Sequence, residues 1–190
     1  MNKTFLWIAG ICILLVGGYF ISNMRSLRDQ VSVFDHKNIS YMIGGQRVEL
    51  RDGVAERETV PGSASKTTVR YYGNELKVDL NSDGREDIVF IVTEDTSGSG
   101  LFYYAVTALR TDEGYIGSDG YLLGDRIVPQ GIELSKNPRH VGVVVVNYAD
   151  RKPGEPMTAQ PSVGKSAYIK IDPKAMQWGI VVADFEGESR

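Results

Sequence analysis

Residues 79 to 90, DLNSDGREDIVF, set oxygen-bearing side chains at Asp79, Asn81, Asp83 and Asp87 around Gly84 and then run into an apolar stretch. Counted from Asp79, these side chains fall at positions 1, 3, 5 and 9, with the glycine at position 6. That spacing wraps a short loop around a hard cation: the glycine permits the sharp reversal, and the carbonyl of Arg85 at position 7 adds a ligand. Calcium is the cation expected, because it accepts flexible oxygen ligands, whereas magnesium demands tighter geometry and zinc favours imidazole or thiolate. The competing reading is a polar turn between two strands, since Asp, Asn and Gly favour turns without any metal.

The EF-hand form of such a loop requires a glutamate at position 12, where this chain has Phe90, and a following helix, where it has a strand pattern. The nine residues instead resemble the Asp-x-Asn-x-Asp-Gly-x-x-Asp loops of integrin-type and related extracellular β repeats. Without the bidentate glutamate the expected affinity is weak, on the order of 10⁻⁴ to 10⁻³ M, which points to a structural ion rather than a signalling one. The motif occurs once and the chain is too short for the usual blades, so a propeller of such repeats is not expected.

Other chemistry is thinly represented. Gly164-Lys165-Ser166 ends like a phosphate-binding loop, but position 159 is alanine where that pattern needs glycine. Ser63-Ala64-Ser65-Lys66 matches Ser-x-x-Lys, yet follows Pro61-Gly62 and has no Lys-Thr-Gly partner. His36 and His140 are read as solvated, one in a stalk and one beside a turn, which leaves no histidine-based triad or zinc site. Carboxylates are the remaining catalytic candidates: Glu94 and Asp95 end a strand beside a glycine-rich loop, and Asp125 follows another. A glycan-directed hydrolase using them is the alternative to a non-catalytic module, and a purely structural envelope component is a third reading.

The elements that must position these residues read as strands. YMIGGQRVEL places Gly44-Gly45 between two short alternating runs, the pattern of a two-residue hairpin. KTTVRYY and ELKVDL flank Gly73-Asn74 and predict a second hairpin. DIVFIVTE and LFYYAVTALR are apolar on both faces and predict central strands, while VGVVVVNYA, SAYIKID and GIVVADF complete the set. No stretch after residue 38 carries a helical apolar period. The expected fold is therefore mainly β, a single antiparallel β-sandwich or half-open barrel. One connection, residues 149 to 164, holds Pro153, Pro156 and Pro161 and cannot pair over most of its length. Loops this long are often functional. Its charges Asp150, Arg151, Lys152 and Glu155, together with Asp125 and Arg126, form the expected contact surface. Tyr115 and Tyr121 are candidates for glycan platforms.

Phe5 to Ile21, FLWIAGICILLVGGYFI, is a run of 17 residues without a charge. As a helix it would be about 25 Å long, enough to span a bilayer core at the short end, and GGYFISNMRS offers no convincing cleavage site. The chain thus reads as a tail (1–4), a transmembrane anchor (5–21), a stalk (22–38) and an exported domain (39–190) carrying the loop at 79–87. Cys12, the only cysteine, lies in the anchor, so the exported part has no disulfide. Discounting the first 28 residues leaves 18 basic against 24 acidic side chains, an acidic domain that repels nucleic acid phosphates.

At a broader level, YYGNELKVDLNSDGREDIVFIVTEDTSGSGLFYYAV, LLGDRIVPQ and VVVNYADRKPGEPMTAQPSVGKSAYIKIDP together resemble a family of functionally uncharacterised bacterial membrane-anchored envelope proteins. The resemblance runs from about residue 40 to the end, and some members continue into a META-type domain. It implies a bacterial cell-envelope setting; the N-terminal position of the apolar run and the acidic domain after it add the expectation of an inner or cytoplasmic membrane location, single-pass, with the C-terminal domain periplasmic or extracellular and an envelope protein or glycan as partner. It assigns no activity.

Overall fold

Gly44 and Gly45 have φ of 58° and 76°, and this pair of left-handed residues reverses the chain between β1 (Ser40–Ile43) and β2 (Gln46–Glu49). Such a turn matches the twist of the strands it joins, so the hairpin forms where the sequence predicts it. The computed structural model describes residues 35–59, 62, 64–98 and 100–182. Apart from Asp35 these belong to a unit that begins at His36. The apolar run 5–21 and most of the expected stalk lie outside the described residues, and among the described residues no helix is long and apolar enough to cross a membrane.

The fold is mainly β, with antiparallel sheets that do not close into a barrel. Ten further strands follow the hairpin: β3 (Val54–Glu58), β4 (Lys66–Val78), β5 (Asp87–Asp95), β6 (Leu101–Thr111), β7 (Gly114–Gly117), β8 (Tyr121–Asp125), β9 (Val128–Leu134), β10 (Val144–Asp150), β11 (Val163–Asp172) and β12 (Gln177–Ile180). One sheet runs β3-β4-β5-β6-β7, with β8 also on β6, and a second runs β12-β11-β10-β9. β7 and β8 pair the two ends of β6 and behave as one edge strand interrupted at Ser118–Gly120.

β5 is buried from Asp87 to Glu94 because it has a core on each face. Val89 and Ile91 pack with Val144, Val146, Ile169 and Ile171 of the four-stranded sheet. Ile88, Phe90 and Val92 point the other way and pack under Tyr41, Ile43 and Val48 of the β1–β2 hairpin and Leu50 just after it. The result is sandwich-like, with the hairpin as an added cover. Gly117 makes that cover possible: a Cβ there would stand 2.2 Å from the Ser40 carbonyl oxygen, so only glycine lets the two backbones approach.

Two expectations are corrected. Gly73-Asn74 does not turn a hairpin. β4 runs through it, and the pairing with β5 shifts register on both sides of Gly73. The positive φ values of Gly73 (122°) and Asn74 (55°) bend the strand in a bulge instead of reversing it. The histidines are not solvated either. His36, in a single 3-10 turn (His36–Asn38), stacks edge-on against Phe90 at 5.1 Å and lies 2.8 Å from Glu75. His140 is 9% exposed and bonds Ser135 Oγ through Nδ1 at 2.9 Å.

Candidate functional site

The Asp79–Asp87 loop joins β4 to β5, and its side chains organise its own backbone. Asp79 accepts the amides of Asp83 (3.2 Å) and Gly84 (2.9 Å), Asn81 Oδ1 accepts Asp83 N (3.0 Å), and Asp83 Oδ1 accepts Arg85 N (2.8 Å). Ser82 and Gly84 supply the reversal at φ 61° and 82°. The Arg85 guanidinium folds back onto Asp83 at 3.3 Å and also bonds Asp112. The Arg85 amide is the chief cause of the lowering of the Asp83 carboxyl below its ordinary range; Asn81 and the guanidinium add to it.

Asp87 differs from its neighbours. It is fully buried, and its two oxygens accept Leu80 N (2.9 Å) and Arg110 N (2.8 Å), which ties the loop to the end of β6. Burial pushes its carboxyl above the ordinary range, against the pull of those two amides, and the charges of Asp83 and Asp79 push the same way. Among the described residues no group of three or more His, Cys, Asp or Glu side chains is arranged to hold a metal ion. The carboxylates here are turned to amides and to Arg85.

Of the six residues expected to form a contact surface, Arg151 links the two connections. Arg151 reaches from the long connection to the β8–β9 turn, donating from Nη1 to the carbonyls of Arg126 (3.1 Å) and Asp125 (3.4 Å) and from Nε to Ala159 O (2.7 Å). Arg126 has a left-handed φ of 50°, so this guanidinium braces a strained turn. Asp125 accepts Leu101 N (2.8 Å), Asp150 pairs with Lys165 (2.7 Å), and Glu155 accepts Lys152 N (2.9 Å). The Lys165 hydrogen bond, chiefly, holds the Asp150 carboxyl low. The connection is thus an ordered strap with charged groups on it.

The carboxylates named for catalysis are committed to structure. Glu94 is 5% exposed and holds Arg57 Nη2 (2.5 Å) and the Tyr104 hydroxyl (3.0 Å). Burial, then the Glu94 charge, pushes the Tyr104 hydroxyl up to about 12. Asp95 accepts Ser97 N (2.9 Å) in the following turn. Lys66 of the Ser-x-x-Lys run pairs with Glu56 at 3.1 Å.

Sequence reasoning missed the Glu94–Arg57–Tyr104 cluster and the Glu75 cluster. In the latter Glu75 accepts the Tyr71 hydroxyl (2.8 Å) beside His36 and Lys37. Arg57, Glu94 and Tyr104 lie on three different strands, and the Glu75 cluster joins Tyr71 and Glu75 of β4, on either side of the Gly73 bulge, to the His36–Asn38 turn, so no strand spacing signals either. A scan against protein-family models finds no match, and searches of curated proteins and of solved structures return no significant similarity.

Proposed function

We propose that the chain is a membrane-anchored, non-catalytic binding or accessory module of the bacterial cell envelope, stabilised by calcium at the Asp79–Asp87 loop. One observation carries the binding reading: charged residues from two connections distant in sequence, Asp125 and Arg126 in one and Asp150 to Glu155 in the other, are gathered and braced at one place by Arg151. A braced, charged loop cluster on a rigid sheet is the kind of surface that recognises a partner. Glu94 holds Arg57 and Tyr104, and Asp95 and Asp125 each accept a backbone amide, which supports the non-catalytic reading over hydrolysis.

The calcium part rests on the spacing of Asp79, Asn81, Asp83, the Arg85 carbonyl and Asp87, and on the reversal at Ser82 and Gly84. Calcium entering the loop must displace the Arg85 guanidinium from Asp83, which agrees with a weak site. The anchor rests on the uncharged run Phe5 to Ile21.

The binding reading is tested by placing a photo-crosslinking residue at Lys152 in the full chain and irradiating membranes. A discrete adduct should form and disappear when Arg126→Glu and Glu155→Lys reverse the patch charges. The same adduct from a probe at exposed Gly62, or none from Lys152, would contradict it.

A further inference from the structure

We propose a second binding site, a saccharide-binding groove on the outer face of the four-stranded sheet, separate from the charged patch. Val144, Val146 and Tyr148 of β10 face the core between the sheets, so Val145 and Asn147 point outward. Val145 belongs to neither core cluster, yet it is 6% exposed. What covers it is a ring of polar side chains: it pairs in register with Glu133 on one side and Tyr168 on the other.

Two adjoining hollows, of about 390 and 160 Å³, share Glu133 and Asn147. Their combined size lies within the usual range for small-ligand sites, about 300 to 1,000 Å³. Val145, Tyr168 and Ser135 line the smaller of the two.

The polar row is fixed and unsaturated. Asn147 Nδ2 donates to Glu133 Oε1 (3.1 Å), and Asn147 Oδ1 accepts Ser166 Oγ (2.6 Å), which sets the amide's orientation. An amide carries two N–H donors and two lone pairs, so one of each is left to project from the groove. The Glu133 carboxylate and the Ser166 oxygen keep acceptor capacity on either side. The row therefore presents acceptor, donor and acceptor across three strands, complementary to adjacent hydroxyls that each donate and accept.

Lys136 lies 3.7 Å from Glu133, so the local charges offset and favour an uncharged ligand over a phosphate or a basic peptide. The Tyr168 ring beside such a row suits a pyranose, whose C–H face is apolar and whose rim is hydroxylated. The open shape suits one or two units of a longer chain.

The groove is also held rigid. Ser135 N bonds Val143 O (2.9 Å), Ser135 Oγ meets His140 Nδ1 (2.9 Å), and His140 packs its ring edge-on against Tyr168 at 6.0 Å. Little ordering cost is left for binding.

The test is calorimetric titration of the full chain, in a detergent without a sugar headgroup, with chitohexaose and separately with cellohexaose. Saturable binding to either is expected, and the one that binds tells whether acetamido groups are required. Asn147→Ala and Glu133→Gln should each weaken it at least tenfold, and Ser166→Ala a few-fold, with melting temperatures unchanged. Lys152→Glu should leave it intact, which separates this site from the patch. No saturable binding to either oligosaccharide at millimolar concentration, or binding that survives both Asn147→Ala and Glu133→Gln, would overturn the proposal.

Discussion

The Asp79–Asp87 loop and the Asp150–Glu155 strap are both acidic-and-basic connections at strand ends, and they are held by opposite means. In the first, carboxylates and the Asn81 side-chain oxygen accept backbone amides within a few residues of themselves. In the second, a guanidinium donates to carbonyls 25 and 26 residues away in sequence. The first arrangement leaves negative charge to be compensated by Arg85 or by a cation. The second satisfies its backbone with the protein's own cation and keeps the surrounding charges for the surface.

Breaking the loop at its buried end should have the largest effect. Asp87→Ala strips the acceptor from two backbone amides, and an unpaired buried polar group costs about 1 to 3 kcal/mol. A loss of about 3 kcal/mol is expected in urea unfolding of the domain, and Asp87→Asn should recover part of it because the amide keeps one acceptor oxygen. A loss below about 0.5 kcal/mol, the level of an ordinary surface change, would mean that Asp87 does not hold the loop to β6.

The strap should break less severely. Arg151→Ala removes three hydrogen bonds from a charged donor, and a loss of about 2 kcal/mol is expected in the same measurement. Arg151→Lys should rescue little, since a single ammonium cannot span carbonyls on two segments as the planar fork does. Full rescue by lysine would show that charge alone, and not the bracing of the Arg126 turn, stabilises the strap.

The smallest effect separates the two regions by pH. Asp150 has a lowered folded pKa, so its contribution is present above the ordinary aspartate range and is lost as pH falls through the lowered value. Asp87 is raised, so it favours folding below its unfolded range and loses that contribution as pH rises through the raised value. Asp150→Asn should therefore lose less stability than wild type on acidification from about pH 5 to 3, seen as a flatter acid limb in thermal melts. A steeper limb would reverse the assignment.

The same contrast explains what could be read in advance. The Gly44-Gly45 hairpin, the two-faced burial of β5 and the reversal at Gly84 depend on neighbours in sequence, and residue type alone announces them. Gly73-Asn74 carries the same local signal as a hairpin, but β4 stays paired with β5 on both sides of it, and the tertiary pairing wins. His36 looks like a stalk residue until Phe90, Tyr71 and Glu75 from other strands surround it. The six patch residues were nameable by charge and loop length. That Arg151 ties the strap to the Asp125–Arg126 turn was not, because carbonyl acceptors carry no side-chain signature.

Calcium tests the account of the loop most directly. An ion that binds only the folded state stabilises it by about 1.4 kcal/mol at tenfold above its dissociation constant. Thermal melts of the full chain should therefore rise by several degrees in millimolar calcium and fall back in chelator. Asp83→Ala should abolish the rise, and Arg85→Gln, by removing the internal competitor, should enlarge it. Wild-type melts that coincide in calcium and in chelator would contradict the metal reading and leave the Asp79–Asp87 loop as a polar turn closed by its own amides and Arg85.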